Sequence, residues 1–468
     1  MADTISTFHC RTNSVNGSSY AITTPEELLH ALASADHAHA SGIWQKIEIR
    51  EAFFPLLIKE IERNKAPLQE VYCAETSLSP ARFEREFQRM LQQITSYARE
   101  GIALAKRTET TALIDKTLTK KWMPVGPVVV FGASNFPLAY GTLGGDTIGA
   151  LAAGCPVIVK GHPFHAGTST LLSKVVSRVL NDLILPEGVF SHVMDEGYLA
   201  GQQLIMDGRI KAGAFTGSMN GGMSLYQLAQ QRKIPVPFFA EMGSLNPVIW
   251  LSDVKNVAEN LQELASSVTE DAGQFCTKPG LILFPIEELE ALSCIFQEAL
   301  ERCESYPMLH PEIFRKYNAR LEEIQHVQQV TRFSNNIAWN ADRALAQCTL
   351  EEFLATEALH HEVFGPFTCL VGYERLEDIE ALFPCVGGQL TISFFGMNPT
   401  TENIWKVAEH YAGRMIINSV PTGVAVEPTM THGGPFPATT DMRYSSVGEA
   451  SLLRFFRPIT VQRSLKDL

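Results

Sequence analysis

Residues 127–163 read PVVVFGASNFPLAYGTLGGDTIGALAAGCPVIVKGHP. Pro127–Gly132 and Val157–Lys160 are short apolar runs of the kind that form fully buried strands. Between them, Leu143–Ala153 consists of small and apolar residues suited to a closely packed helix. Two parallel strands need a crossover of this length, usually helical. The stretch therefore predicts a βαβ unit and an α/β protein with a parallel sheet.

The same alternation continues to about residue 240, so five strands are expected in one sheet. The further strands are predicted at Gly188–Met194, Ala212–Phe215 and Val236–Ala240, with helices at 166–183, 198–206 and 218–231. This order is typical of parallel βαβ units, which bind their ligands at the carboxyl ends of the strands. Residues 24–106 are predicted to be helical. A second α/β block is predicted from residue 252, with strands at 281–284, 369–373, 391–395 and 415–418.

Length and composition restrict the class of protein. A chain of 468 residues with 45% hydrophobic and 19% charged residues predicts two or three packed domains. The net charge of -13 and the lack of lysine or arginine runs argue against nucleic acid and membrane partners and favour a small molecule. No apolar stretch is long enough to span a membrane, and the first residues lack a signal pattern. Nine scattered cysteines without a CxxC pair predict reduced thiols in the cytoplasm.

The run GQFCTKPG at 273–280 contains the strongest candidate nucleophile, Cys276. Glycines on both sides allow tight turns and close approach to the sulfur. Lys278 could favour a thiolate, or it could point to solvent. Most other cysteines, such as Cys155 before an apolar strand, are expected to be core residues.

Polar residues follow several predicted strands. Asn135, Lys160, the Gly217-Ser218 turn and Glu241 each come where a strand ends. An amide, a cation, free helix N–H groups and a carboxylate are the groups that a cofactor and a reacting substrate need. Each residue alone is explained equally well as a turn-stabilising or solvated side chain. The order of all these residues along the chain is more informative than any one of them.

That ordered set resembles the aldehyde dehydrogenase superfamily over residues 24–457. The matching signatures are Asn135, Lys160, Phe215–Ser218, Glu241–Gly243, Cys276 and the run HEVFGP at 361–366. Longer runs resemble the branch that contains 2-oxoglutarate semialdehyde and NADP-dependent long-chain aldehyde dehydrogenases; they are residues 131–163, FFAEMGSLNP at 238–247, GQFCTKPG and HGGPFPATTDMRYSSVG at 432–448.

The resemblance implies a role for each matching residue. Cys276 would attack the aldehyde, Asn135 and the Cys276 N–H would form the oxyanion hole, and Glu241 would act as general base. The cofactor contacts implied are Ala133, Ser134, Lys160, His162, Gly188, Gly217, Ser218, Glu362 and Phe364. The substrate pocket implied is Phe136, Phe275, Thr277 and Val420, and no metal site is expected.

Some residues depart from the family's pattern. NAD-preferring members commonly have a glutamate three residues beyond the lysine, whereas this chain reads Lys160-Gly161-His162-Pro163. NADP is therefore expected to be preferred, with NAD possible, and His162 or His165 could contact the extra phosphate. The chain begins later than most relatives, so an N-terminal strand pair is expected to be missing. Arg414 and Arg443 are candidates for binding a substrate carboxylate.

The resemblance also implies a division of the chain and its assembly. A dinucleotide-binding domain is expected at 1–106 with 124–242 and 433–452, and a catalytic domain at 243–432. An oligomerisation arm is expected at 107–123 with 453–468, giving a homodimer or homotetramer. Two other functions remain open: a coenzyme A-dependent acylating dehydrogenase, which usually lacks the carboxylate at Glu241, and a non-catalytic protein of the same fold.

Overall fold

The computed structural model describes residues 4–12, 14–334, 337, 339–396 and 401–465. Residues 1–3 and 466–468, at the outer ends of two predicted domain ranges, lie outside the described residues. The strands are β1 (Thr4–His9), β2 (Ser14–Ala21), β3 (Thr108–Ala112), β4 (Lys116–Pro124), β5 (Val128–Phe131), β6 (Val157–Gly161), β7 (Phe190–Met194), β8 (Ala212–Thr216), β9 (Phe238–Glu241), β10 (Val248–Trp250), β11 (Leu281–Pro285), β12 (Val330–Phe333), β13 (Arg343–Thr349), β14 (Phe367–Tyr373), β15 (Gln389–Phe395), β16 (Ala412–Ile417) and β17 (Phe456–Ser464). The α-helices are α1 (Pro25–Ala40), α2 (Ile47–Arg63), α3 (Lys65–Thr76), α4 (Pro80–Lys106), α5 (Gly145–Ala153), α6 (Ala166–Asp182), α7 (Leu199–Met206), α8 (Met219–Gln231), α9 (Val257–Thr269), α10 (Ile286–Arg302), α11 (Pro311–Gln325), α12 (Leu350–Ala355), α13 (Leu382–Val386), α14 (Glu402–Glu409) and α15 (Glu449–Leu453).

A five-stranded parallel sheet confirms the fold class predicted from residues 127–163. Its strand order is β7-β6-β5-β8-β9. From the central strand β5 the chain adds β6 and β7 on one side and then β8 and β9 on the other, so the order of strands reverses at β5. All four residues of β5 are buried, because helices cover both faces of the sheet. The crevice at such a reversal, beyond the carboxyl ends of the strands, is where doubly wound sheets bind ligands.

A seven-stranded sheet forms the second α/β block, in the order β12-β13-β14-β11-β10-β15-β16. Only β12 runs antiparallel to its neighbour. Four of these strands match the predicted runs, whereas β10, β12 and β13 were not predicted. The strand β10 has only three residues, fewer than the four to eight that a pattern needs to be recognised.

The arm is a three-stranded antiparallel sheet in the order β17-β4-β3. The predicted pairing of the tail with residues 107–123 occurs within the chain, from Phe456 opposite Pro124 to Ser464 opposite Lys116. All five residues of β3 are exposed.

An N-terminal hairpin is present, so the expected loss of an N-terminal strand pair was wrong. Strands β1 and β2 pair antiparallel, from Thr4 opposite Ala21. Ile5 packs against Ala166 and Met194, which attaches the hairpin to the five-stranded sheet and its helix α6.

Helix α4 fixes the loop that follows β5. Arg82, Glu86 and Gln93 lie on one face of α4 because their spacing of four and seven residues matches helical turns, and all three are buried. Glu86 accepts hydrogen bonds from the backbone N–H groups of Leu138 (2.7 Å) and Ala139 (2.9 Å). The polar side of this helix therefore sets the path of the chain just after Asn135.

No helix among the described residues is both long and apolar enough to cross a membrane.

Candidate active site

The loop that carries Cys276 begins with three residues in left-handed conformation. After α9, Asp271, Ala272 and Gly273 have φ of 48°, 58° and 64°. A Cβ at position 273 would lie 2.5 Å from the backbone of Gly365, so only glycine fits there. The turn brings the partly exposed Cys276 back over the sheet, where Asn246 Nδ2 donates to its carbonyl oxygen at 2.8 Å.

Three titratable groups meet at the sulfur. His432 Nε2 lies 3.3 Å from Cys276 Sγ and 2.9 Å from Glu241 Oε1. The Glu241 and His432 side chains are buried, and both carboxylate oxygens of Glu241 lack a hydrogen bond of good angular geometry among the described residues. The three ligand atoms lie within 4.8 Å of one another and could also hold a metal ion. The expectation of no metal site therefore stays an untested prediction.

The charge of His432 is set by its neighbours. Burial lowers the pKa of His432, but the Glu241 carboxylate and Cys276 outweigh it and raise the pKa to about 10. The imidazolium form therefore dominates at neutral pH, beside the thiol and the carboxylate. The sulfur of Cys276 therefore lies 3.3 Å from a cationic side chain.

Sequence reasoning missed His432, although its motif HGGPFPATTDMRYSSVG was noted as a family signature. The residue lies 156 positions beyond Cys276. The Ser445 hydroxyl accepts a hydrogen bond from the His432 N–H at 2.8 Å and holds this segment in place. The only sequence feature that pointed to His432 was its position directly before two glycines. That feature does not show which residue the histidine contacts.

Asn135 contacts the loop that carries Cys276. Its Nδ2 donates to the carbonyl oxygen of Gln274 at 2.8 Å, which leaves its second N–H for another acceptor. The backbone N–H of Cys276 makes no hydrogen bond to another described residue. The Asn135 amide therefore contacts the same loop that carries Cys276, two residues before it in the chain.

Lys278 neither contacts the thiol nor points to solvent, in contrast to both expectations. It is 1% exposed, and its Nζ donates to the carbonyl oxygen of Phe367 at 2.7 Å. Burial lowers its pKa and raises that of Glu362, and each charge stabilises the other. The opposite charges of Lys278 and the predicted cofactor residue Glu362 therefore interact, although no salt bridge joins these two side chains among the described residues. A Cβ at position 243 would lie 2.1 Å from Glu362 Oε2, so Glu362 lies directly against the glycine of the Glu241–Gly243 motif.

Most predicted cofactor residues lie at the carboxyl edge of the five-stranded sheet. Lys160 is half-buried at the end of β6, and its Nζ donates to the Asp195 carbonyl at 2.8 Å. Gly217 follows β8, and Ser218 caps α8 by accepting a hydrogen bond from Gly221 N–H. Ala133 and Ser134 follow β5, and Phe364 is half-buried beside Glu362. These positions fit a dinucleotide lying across the sheet edge.

The N-terminus of α6 is occupied by a protein carboxylate. Glu75 accepts hydrogen bonds from the backbone N–H groups of Gly167 (2.5 Å) and Thr168 (2.8 Å). An anion can therefore not bind there. The exposed N-terminus of α8, capped by Ser218, remains accessible at the same sheet edge.

Gly188 does not join the other cofactor residues. It precedes β7, at the amino edge of the sheet, and a Cβ there would lie 2.0 Å from the carbonyl oxygen of Ser34 in α1. Gly188 is therefore required for helix packing. Neither His162 nor His165 offers a positive charge to a phosphate, because burial lowers the pKa of both, with that of His165 at about 4.

The family comparison agrees with this geometry. A profile of the aldehyde dehydrogenase family matches residues 2–315. The chain belongs to this family. The chain is 36% identical to an alpha-ketoglutaric semialdehyde dehydrogenase of Azospirillum brasilense, over 91% of its length and 84% of the relative's, and 32% identical to one of Acinetobacter baylyi, over 100% and 92%. The fold matches a 1-pyrroline-5-carboxylate dehydrogenase of Thermus thermophilus with a TM-score of 0.87, at 19% identity, over 99% of this chain and 90% of that one.

The protein is accordingly an aldehyde dehydrogenase, which oxidises aldehydes with NAD(P).

Its predicted substrate residues are not all in one place. Phe136 and Phe275 contact each other edge to face at 5.5 Å, and the Arg82 guanidinium lies 4.3 Å and 4.9 Å from their ring centroids. Thr277 is buried below the sulfur at 1% exposure, and Val420 packs against the core around α9.

The two candidate arginines of this aldehyde dehydrogenase differ in their surroundings. Arg443 forms a bidentate ion pair with Asp441, at 2.9 Å and 2.6 Å, on the surface. Its charge is therefore already balanced, and it is not available for a substrate. Arg414 donates to the carbonyl oxygens of Gly423 (2.9 Å) and Pro421 (2.5 Å) and lies 4.0 Å from the Met430 sulfur.

Proposed function

We propose that Cys276 is the nucleophile of aldehyde oxidation and that His432 supports its thiolate form. The observation that carries this proposal is the contact of one imidazole nitrogen with both the sulfur and the Glu241 carboxylate. The thiolate adds to the aldehyde carbon and forms a thiohemiacetal. The oxygen that becomes negative lies within reach of the Asn135 amide and the Cys276 N–H, where a lost donor costs about 3 kcal/mol.

Glu241 then serves hydrolysis. When bound, NAD(P) accepts the hydride that leaves the thiohemiacetal carbon, and a thioester to Cys276 remains. The carboxylate of Glu241, whose Oε1 lies 2.9 Å from His432 Nε2, takes a proton from water, whose oxygen attacks the thioester. The carboxylic acid leaves, and the sulfur regains its starting state. Coenzyme A would take the place of water in an acylating enzyme, so acid formation without coenzyme A distinguishes the two reactions.

Replacement of the nucleophile tests this function. We expect Cys276→Ala to abolish NAD(P)H formation from an aldehyde, whereas Cys294→Ala, at an exposed cysteine, retains it. Aldehyde oxidation that survives in Cys276→Ala would show that another residue attacks the substrate.

The cofactor is proposed to be NADP in preference to NAD. The end of β6 presents Lys160, whose pKa is lowered to about 8 by burial, and Pro163 stands where a glutamate would repel a 2′-phosphate. The pyrophosphate is proposed to bind at Gly217 and Ser218, and the nicotinamide ribose at Glu362. A kcat/KM ratio that strongly favours NAD over NADP would contradict the preference.

The substrate is proposed to be 2-oxoglutarate semialdehyde, with a medium- or long-chain aliphatic aldehyde as the alternative. Support comes from the two relatives named for alpha-ketoglutaric semialdehyde, which cover nearly the whole chain. Initial rates with short, long-chain and carboxylated aldehydes, each with both cofactors, test this choice.

We further propose the domain ranges expected from the sequence, because each sheet draws its strands from one of them. The arm is proposed to join subunits into a homodimer or homotetramer. A cytoplasmic location is proposed from the nine free cysteines.

A further inference from the structure

The side-chain amide of Asn246 bridges two carbonyl groups of the loop that carries Cys276. Its Nδ2 lies 2.8 Å from the carbonyl oxygen of Cys276 and 3.0 Å from that of Lys278. A third acceptor is the carbonyl oxygen of Ser244, at 3.2 Å. Asn246 is fully buried, and an amide nitrogen carries only two N–H groups. The backbone therefore uses the whole donor capacity of this side chain.

The amide is itself held in one orientation by strand β15 and its buried side chains. Thr391 Oγ1 donates to Asn246 Oδ1 at 3.0 Å. Gln389 Oε1 accepts from the backbone N–H groups of Leu245 at 2.9 Å and Asn246 at 3.1 Å. At Asn246 φ is 50°, a left-handed conformation that asparagine adopts more readily than most residues. The amide cannot rotate away without leaving buried polar groups unpaired, which is costly.

The two bridged carbonyl groups flank a tight turn. The backbone N–H of Lys278 donates to the Phe275 carbonyl oxygen at 3.1 Å and closes the turn over residues 275–278. The C=O and N–H groups of a trans peptide point in opposite directions. The Cys276 N–H shares its peptide group with the Phe275 carbonyl, so it points away from this closing hydrogen bond. Asn246 holds the turn on both sides of residue 277 and so fixes the direction of that N–H.

The carbonyl groups of this loop are paired, whereas one of its donors is not. The carbonyl oxygens of Gln274, Phe275, Cys276 and Lys278 all accept hydrogen bonds, that of Gln274 from Asn135 Nδ2 at 2.8 Å. The Cys276 N–H has no partner among the described residues. A fixed donor that is left unpaired can stabilise a negative oxygen as soon as the charge develops.

We propose that Asn246 is a positioning residue for the oxyanion hole and aims the Cys276 N–H at the aldehyde oxygen without touching the substrate. The proposal rests on the proposed function of Cys276 and adds a residue that acts through it. Preorganised donors are effective because they need not reorient during the reaction. Loss of the Asn246 amide should therefore slow the first chemical steps.

Asn246→Gly tests the proposal, because glycine adopts the left-handed conformation without strain and removes only the side chain. We expect the rate of reduced-cofactor formation in the first turnover, followed by rapid mixing, to fall about 10- to 100-fold. Alkylation of Cys276 by iodoacetamide places no negative charge on an oxygen in the oxyanion hole, and it should slow less than about threefold. Asn256→Gly, at an exposed asparagine with φ of 53°, is the matched control and should keep both wild-type rates.

Thr391→Val provides a second test if the glycine variant does not fold. Valine has the shape of threonine but cannot donate to Asn246 Oδ1, so the amide remains and loses its fixed orientation. We expect a first turnover about 3- to 10-fold slower than wild type, with an unchanged circular dichroism spectrum. A wild-type rate in this folded variant would overturn the proposal.

A double variant, Asn135→Ala with Asn246→Gly, shows whether both asparagines serve the same oxyanion. The combined loss in the first-turnover rate should be smaller than the product of the two single losses. Independent losses that multiply in full would overturn the proposal. Equal losses in turnover and alkylation would do so too, since the amide would then only place the sulfur. Failure of the nucleophile assignment is distinct, because NAD(P)H formation would then survive Cys276→Ala.

Discussion

The imidazole of His432 connects the two halves of the reaction. Its Nε2 contacts the sulfur proposed to attack the aldehyde and the carboxylate proposed to activate water. Its pKa is raised from 6.5 to about 10, so its contribution to stability is fully present below about pH 6.5 and is lost as the pH rises through about 10. At neutral pH the folded enzyme therefore holds a cation beside Cys276.

His432→Gln removes that cation. We expect kcat/KM and the rate of Cys276 alkylation by iodoacetamide to fall by up to about 30-fold at pH 7, since about 3% of an ordinary thiol is ionised there. The deficit should narrow above about pH 9, because an ordinary cysteine thiol ionises near 8.5 and the wild-type imidazolium is lost near 10. Rates measured from pH 6 to 10 check this, with His326→Gln at an exposed position as control. Parallel pH profiles for wild type and variant would assign His432 a structural role only.

Glu241→Gln separates the two chemical steps. The variant keeps the nucleophile but cannot take a proton from water, so steady-state turnover should fall by at least about a hundredfold. Rapid mixing should still show a burst of reduced cofactor equal to the enzyme concentration, because the thioester forms and accumulates. The lack of any burst would mean that Glu241 is needed for thiol attack instead.

At the scale of elements, helix α4 supports two residues of the predicted substrate pocket, Phe136 and Phe275, through its buried polar side. Arg82 pairs with Asp271 at 3.4 Å beneath Phe136 and Phe275, and Glu86 holds the loop after β5. One continuous helix therefore positions the aromatic pair and the loop of Asn135 together.

Two arginines of α4 provide a matched pair of variants. Arg82→Met leaves Glu86 and Asp271 buried without their cation, and the free energy of unfolding is expected to fall by about 3–5 kcal/mol. Arg85 forms an exposed pair with Glu270 at 3.1 Å, so Arg85→Met should cost at most about 1 kcal/mol. Urea unfolding followed by circular dichroism measures both. Similar losses in the two variants would contradict the importance of the buried pair.

At the scale of the whole molecule, the arm presents apolar groups to solvent. Leu113 and Ile114, at the turn between β3 and β4, are 43% and 103% exposed. The edge strand β3 is also exposed along its length, which leaves it free to pair with another chain. These features support the proposed assembly through the arm.

A double variant, Leu113→Asp with Ile114→Asp, tests this assembly. Size-exclusion chromatography with light scattering should show a smaller molar mass than for the wild type, because two charges would enter the contact. Ile184→Asp, at a 90% exposed position elsewhere, is the control and should keep the wild-type mass. An unchanged mass for the double variant would show that the arm does not hold the subunits together.

The sequence alone determined the Rossmann-type sheet and the neighbourhood of Asn135, Lys160, Gly217 and Glu241. Buried parallel strands can be recognised in a sequence as short apolar runs, and their carboxyl ends necessarily lie at the same edge of the sheet. Cys276 was predicted to be the nucleophile from its glycine-flanked loop and from family resemblance. These features depend on local pattern and on chain order.

Only the tertiary structure decided the remaining features of the site. His432 meets Cys276 across 156 residues, and Lys278 turns inward to Phe367. The N-terminal hairpin and the short strand β10 also escaped the pattern. Such contacts depend on how packed elements place distant side chains, and no periodicity along the chain records that placement.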